Sequence, residues 1–153
     1  MKKEGTGPVW MILAQLAILA AIIIALQSAA PLAGAQSLDF EYYRTRVEPI
    51  FLKKRPTHAR CVVCHSSAEN TSAFRLQPLS PGKTTWTEDQ SRRNFAFVSQ
   101  LVAPGDPASS RLLKHPLSPD AGGDPFHGGG WQFASQNDPE WQVLAAWVRQ
   151  AKK

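Results

Sequence analysis

The chain is predicted to be all-α, a small helical domain whose helices are joined by long irregular loops. Three observations predict this. Apolar residues recur at helical spacing in separate stretches, no stretch alternates apolar and polar residues as a strand does, and the connections are crowded with proline and glycine. A length of 153 residues leaves room for one compact domain.

The first residues do not belong to that domain. Met1-Lys2-Lys3 is a short basic start, Val9 to Leu26 is almost unbroken hydrocarbon, and Ala33-Gly34-Ala35 has the small-x-small pattern of a signal-peptidase site. Residues 1–35 are therefore expected to be a signal peptide and residues 36–153 the folded domain. The alternative is an uncleaved anchor, in which residues 9–26 tether the domain to a membrane. That run is at the lower edge of the roughly 17–25 residues a bilayer helix needs. Either way the folded part lies in the periplasm or another extracytoplasmic space. The formal net charge is +5, but the basic residues are scattered as Lys53-Lys54-Arg55, Arg92-Arg93 and Lys152-Lys153. Scattered charge is a solvated surface, and with export it argues against a nucleic-acid partner.

Ser37 to Lys54 reads as the first helix, with Phe40, Tyr43, Val47, Ile50 and Phe51 on one face. Ser37 or Asp39 can cap it, and Pro49 predicts a kink or an early stop. Ser67 to Thr87 is polar and holds Pro78, Pro81 and Gly82, so it reads as loop. Glu88 to Val102 is expected to be helical, with Phe95, Val98, Leu101 and Val102 on one side. Asp106-Pro107 has the form of a cap followed by proline at the first helical position, predicting a short helix through Lys114. Pro116 to Gln136 carries Gly122-Gly123 and Gly128-Gly129-Gly130 and is expected to be irregular. Asp138-Pro139 opens the last helix, with Trp141, Leu144, Ala145 and Val148 at helical spacing. Loops this long often wrap a ligand.

Cys61-Val62-Val63-Cys64-His65 carries the chemistry. In c-type haem attachment two thiols add across the porphyrin vinyl groups and the next histidine ligates iron. On a helical turn residues three and four apart share a face, so both thiols and His65 can be directed at one cofactor. Three other readings use the same residues. A disulfide oxidoreductase would need a strand–helix–strand pattern that is missing here. Structural zinc wants four ligands, often as two paired clusters, and there is no second pair. A plain disulfide would leave His65 incidental.

Met1 and Met11 are the only methionines, and both precede the domain, so a His/Met iron pair is excluded. The other imidazoles are His58, His115 and His127. His58 lies three residues before Cys61, on the proximal side, and reads as a surface or supporting residue. His127 is favoured as distal ligand over His115, because Gly128-Gly129-Gly130 lets the backbone approach a flat ligand. Phe126 and Trp131 are candidates to cover the porphyrin. An open or water-filled sixth position is the remaining alternative. Arg75, Arg92, Arg93 and Lys114 are possible propionate partners, each equally readable as solvated charge.

These motifs resemble the small single-haem cytochrome c domains of secreted proteins from planctomycete-type and related bacteria. The matching stretches are Val47-Glu48-Pro49-Ile50-Phe51, the Cys61–His65 motif, Pro104-Gly105-Asp106-Pro107 with Ser110-Arg111-Leu112-Leu113, and Leu144-Ala145-Ala146-Trp147-Val148. They are spread over nearly the whole expected domain. The haem motif is specific; the others persuade through their order. Many relatives carry a Met-Pro segment before the last helix, and this chain has the His127 loop instead, which strengthens His127 as distal ligand. The resemblance implies a cytochrome c-like fold with loops wrapped around one covalent haem c. First and last helices would cross through Val47, Phe51, Leu144 and Trp147 or Val148. It implies one-electron exchange between haem iron and redox partner proteins, a carrier rather than an enzyme. The alternative is a haem-based sensor or peroxidase-like catalyst with a displaceable sixth ligand.

Overall fold

The computed structural model describes residues 38–150. The expected signal peptide (1–35) and the membrane tether within it (9–26) lie outside the described residues, as does Ser37. Among the described residues the regular structure is helical, and the only β-type contact is an isolated parallel bridge between Leu117 and Phe133. No helix among them is long and apolar enough to cross a membrane. The chain is all-α.

The first helix, α1, is three consecutive pieces: α-helical Phe40–Tyr42, a π turn Tyr43–Val47, and α-helical Glu48–Leu52. Asp39 caps it, its side chain accepting from the Tyr42 amide at 2.9 Å. Pro49 neither stops the helix nor needs a break. A proline in a regular helix clashes with the carbonyl four residues back. Here the turn before it is widened, with the Glu48 amide donating to the Tyr43 carbonyl five residues earlier.

Cys61–His65 forms α2, a single helical turn. Glu88–Ser99 forms α3, started by a capping box in which Thr87 and Gln90 exchange side-chain to backbone bonds. The next helix, α4, is shorter than the sequence predicts: it spans Arg111–Lys114 and starts after Ser110, not at Asp106. Asp106 instead closes a turn, accepting from the Ser109 amide at 3.1 Å and the Ser109 hydroxyl at 2.6 Å. A capping Asp before proline suits a turn as well as a helix, and buried Ser110 fixes this one by bonding the Asp106 carbonyl at 2.8 Å. The Pro116–Gln136 stretch is irregular apart from a 3-10 turn at Pro119–Ala121. The last helix, α5, spans Pro139–Arg149 and is capped by Asp138, whose Oδ1 accepts from the Glu140 and Trp141 amides.

The core is where α1 meets α5. Trp147 is fully buried and its indole N–H donates to the Asp39 carbonyl at 2.9 Å, across 108 residues of chain. Its ring lies 5.4 Å from Tyr43 and 6.0 Å from Phe95 of α3, so three helices converge on one aromatic cluster. Val47, Phe51, Leu144 and Val148 are buried in the same core. A polar strut crosses it: the Ser91 hydroxyl of α3 donates to Glu48 Oε1 at 2.8 Å, while Glu48 Oε2 has no partner. Burial pushes the Glu48 carboxyl above its ordinary range, and the Ser91 bond and Arg44 only partly oppose this.

Two outcomes follow for folding. Trp147→Ala is expected to cost about 3–5 kcal/mol in urea unfolding, and Trp147→Phe about 1 kcal/mol for the lost indole bond. Glu48→Gln keeps an acceptor for Ser91 without the buried charge. Because the folded pKa of Glu48 is raised, the native chain loses stability as pH rises above the unfolded carboxyl value of about 4.3. The Gln variant is therefore more stable at neutral pH, and the difference vanishes in acid. A pH-independent difference between the two would exclude the buried charge as its cause.

Candidate functional site

The α2 turn is oriented by its two valines: Val62 is buried in the core and Val63 is exposed. That places Cys61, Cys64 and His65 on the wall of one cleft of about 830 Å3, counted to its open mouth. Ile50 and Phe51 of α1, Phe74, Leu101, Leu112 and Leu144 make the cleft largely apolar. His115 and His127 line it too. All five residues singled out in the sequence thus meet in one place.

Both cysteines are free thiols, Cys61 half-buried and Cys64 exposed. His65 is held from behind. Its Nδ1–H donates to the Phe74 carbonyl at 2.9 Å, and the same oxygen accepts from Asn70 at 2.8 Å and Ser72 at 3.0 Å. A carbonyl can only accept, so Nδ1 carries the proton and the Nε2 lone pair is left for a ligand. Burial holds the His65 pKa below its ordinary value, with His127 and His115 adding to the shift against the Phe74 bond. The ring is therefore neutral, the form that binds metal.

His127 is fixed the same way. Its Nδ1 meets the Gly130 carbonyl at 2.6 Å, and the Gly130 amide returns a bond to the His127 carbonyl at 2.9 Å. Of the three glycines after His127, Gly129 lines the cleft. Gly128 faces open space, and Gly130 is required by its left-handed φ of 74° in the turn. The glycine fixed by close approach is Gly123, where a Cβ would stand 1.8 Å from the Leu117 carbonyl oxygen. The His65 and His127 ring centroids are 6.3 Å apart with planes inclined by 22°. His115, at the end of α4, lies 5.1 Å from His127 and nearly perpendicular to it. Its Nδ1 is 3.0 Å from Asp124 Oδ2, and this bond holds the Asp124 carboxyl below the usual carboxylate range.

Other expected site residues fall elsewhere. Phe126 is 74% and Trp131 42% exposed, and neither lines the cleft; Phe51, Phe74 and Phe133 supply its aromatic wall instead. Trp131 is held away by its indole bond to the Asp124 carbonyl at 3.2 Å. His58 is off the cleft wall, its ring beside Gly130. Arg92 pairs with Glu88 and covers Phe40, Arg93 bonds Gln77, and Lys114 pairs with Asp124 at 3.5 Å. None of these, nor Arg75, lines the cleft. The arginines that do are Arg60 and Arg111, whose side chains make no ion pair among the described residues. Adjacency to Cys61 was a signal for Arg60; nothing local distinguished Arg111.

Arg55 ties three segments of the chain together. Its guanidinium bonds Asp138 Oδ2 at 2.6 Å, Glu140 Oε2 at 3.1 Å and the Gln132 carbonyl at 2.6 Å, and lies 4.8 Å from the Phe133 ring. The chain that leads into α2 is thereby tied to the start of α5 and to the loop after His127.

The thiols give a direct check. Burial pushes Cys61 up to about 11, which leaves about one thiol in a thousand ionised at pH 8. Before any attachment, iodoacetamide at pH 8 is expected to label the exposed Cys64 faster than Cys61, and the gap to narrow as pH approaches 11. Equal rates at pH 8, read by mass spectrometry, would contradict the burial of Cys61.

Among the described residues no three His, Cys, Asp or Glu side chains converge to hold a bare metal ion. Zinc wants four such ligands, whereas a porphyrin brings its own four nitrogens and asks the chain for one or two. No family model, curated protein or solved structure matches the chain.

Proposed function

We propose that this chain is an exported single-haem c-type cytochrome domain that passes one electron at a time between redox partner proteins. Cys61 and Cys64 hold the porphyrin, His65 is the proximal iron ligand and His127 the distal one. The observation that carries the reading is the pair of imidazoles that line the cleft with the two thiols. Their ring centroids stand 6.3 Å apart, near enough that one metal ion could be held by both His65 and His127. Both have Nδ1 tied to a backbone carbonyl, the arrangement that orients a metal-binding imidazole.

Haem, when bound, supplies the reversible one-electron chemistry of its iron. The rest belongs to the chain. Cys61 and Cys64 would hold the group covalently, each S–H adding across one vinyl double bond to give a thioether with no leaving group. His65 and His127, each with Nδ1 tied to a backbone carbonyl, would offer Nε2 as the ligating atom. The apolar wall of Ile50, Phe51, Leu112 and Leu144 keeps water from the cofactor faces, and the unpaired Arg60 and Arg111 put positive charge near its carboxylates. Export rests on the leader read from the sequence, and the tether through residues 9–26 remains its variant.

One observation favours a second reading, a sensor or peroxidase-like catalyst with a displaceable sixth ligand: His127 stands on a short glycine-closed turn rather than on a helix.

The test is the reduced visible spectrum of the full chain made in a haem-maturing host. Haem surviving a denaturing gel, lost in Cys61→Ala/Cys64→Ala, with sharp low-spin bands and a potential below that of His/Met cytochromes, is the expected result. Absence of covalent haem sinks the proposal. A broad high-spin spectrum with rapid carbon monoxide binding supports the second reading.

A further inference from the structure

The cleft holds three imidazoles where an iron with one proximal ligand has room for one more. His65 and His127 are used by the proposed function; His115 is not, although it lines the same wall. It is not a stray surface residue. The ring is half-buried at the end of α4, between the fully buried Leu113 and the buried Leu117. Its Nδ1 is held by Asp124 Oδ2 at 3.0 Å, and Asp124 Oδ1 is in turn 3.5 Å from the Lys114 amine. With Nδ1 engaged, Nε2 is left as the free donor, as in the other two histidines.

We propose that His115 is a reserve distal ligand: when His127 withdraws, His115 takes its place on the iron, so that the sixth position alternates between two imidazoles and does not open. This rests on the haem reading above and adds a regulation of the same site. Three features carry it. The two rings are neighbours, centroids 5.1 Å apart, a distance that rotation of the side chain spans. Their supports differ in stiffness: His115 stands on a helix end anchored in the core, His127 on the turn closed by Gly130. Their supports also differ in chemistry, since a carboxylate behind an imidazole makes it a stronger donor than a neutral carbonyl does. The exchange balances simply. The iron–nitrogen bond to His127 breaks, one from the His115 Nε2 lone pair forms, and the Nδ1 proton stays on His115.

The experiment uses the full haem-loaded chain and reads spin state and carbon monoxide binding, not activity. His127→Ala, in an exposed turn away from the core, is expected to stay low-spin, and His127→Ala/His115→Ala to become high-spin and bind carbon monoxide rapidly. Adding Asp124→Asn to His127→Ala should weaken the hold of His115 about 10- to 100-fold, seen as faster carbon monoxide binding. If His127→Ala alone is already as high-spin as the double variant, the exchange is overturned while the haem reading stands. His115→Ala alone turning high-spin overturns it too, by making His115 the resident ligand. A parent chain without covalent haem fails the reading underneath instead.

Discussion

The cleft depends on the seam between α1 and α5, and that seam on Trp147. A single indole packs against both Tyr43 and Phe95, which also touch each other, and donates its N–H to the carbonyl of the residue that caps α1. An unsatisfied buried N–H would cost about as much as the contact gains, so ring packing and hydrogen bond select one relative placement of the helices. Ile50, Phe51 and Leu144 then face the same space from the two helices. The rigid part of the wall is set before any loop contributes.

The loops complete the other side with few regular hydrogen bonds. The Ser118 amide bonds the Phe133 carbonyl at 2.9 Å and the Phe133 amide bonds the Pro116 carbonyl at 3.1 Å, which brings the chain on either side of His127 together beneath α4. Gly123 allows this loop to pass against the Leu117 backbone with no side chain between. The result is a concave apolar surface with imidazoles at its rim and core.

Much of this was legible in the sequence because it depends on neighbours along the chain. The Asp39 and Asp138 caps, the Cys61–His65 turn, the helical faces and the irregular Pro116–Gln136 stretch are local, and the structure has them. The gathering of His65, His115 and His127 was legible as a set of candidates by elimination, though not which supports stand behind each. The errors have local causes as well. Asp106-Pro107 satisfies both helix and turn geometry, and buried Ser110, a tertiary matter, decides between them. Hydrophobic spacing does not reveal the π turn, because Phe40, Tyr43, Val47, Ile50 and Phe51 already fit an ordinary α-helical face. Phe126 and Trp131, read as candidates to cover a porphyrin because they flank His127, are exposed, and the Trp131 indole donates to the Asp124 carbonyl, a contact that chain adjacency does not foretell. Arg55 gave no sign at all, since its partners lie 77 to 85 residues away.

Arg55 and Asp138 divide one carboxylate between two duties. Oδ1 caps α5 through the amides of Glu140 and Trp141, while Oδ2 receives the guanidinium. Every residue from 56 to 137, including both thiols and all four histidines, therefore lies in a closed loop whose two ends are pinned at one side chain. Fraying of the first turn of α5 and loosening of that loop are a single cooperative event, not two. The start of the last helix is in this sense the hinge pin of the cleft, although it contributes no atom to the cleft's wall.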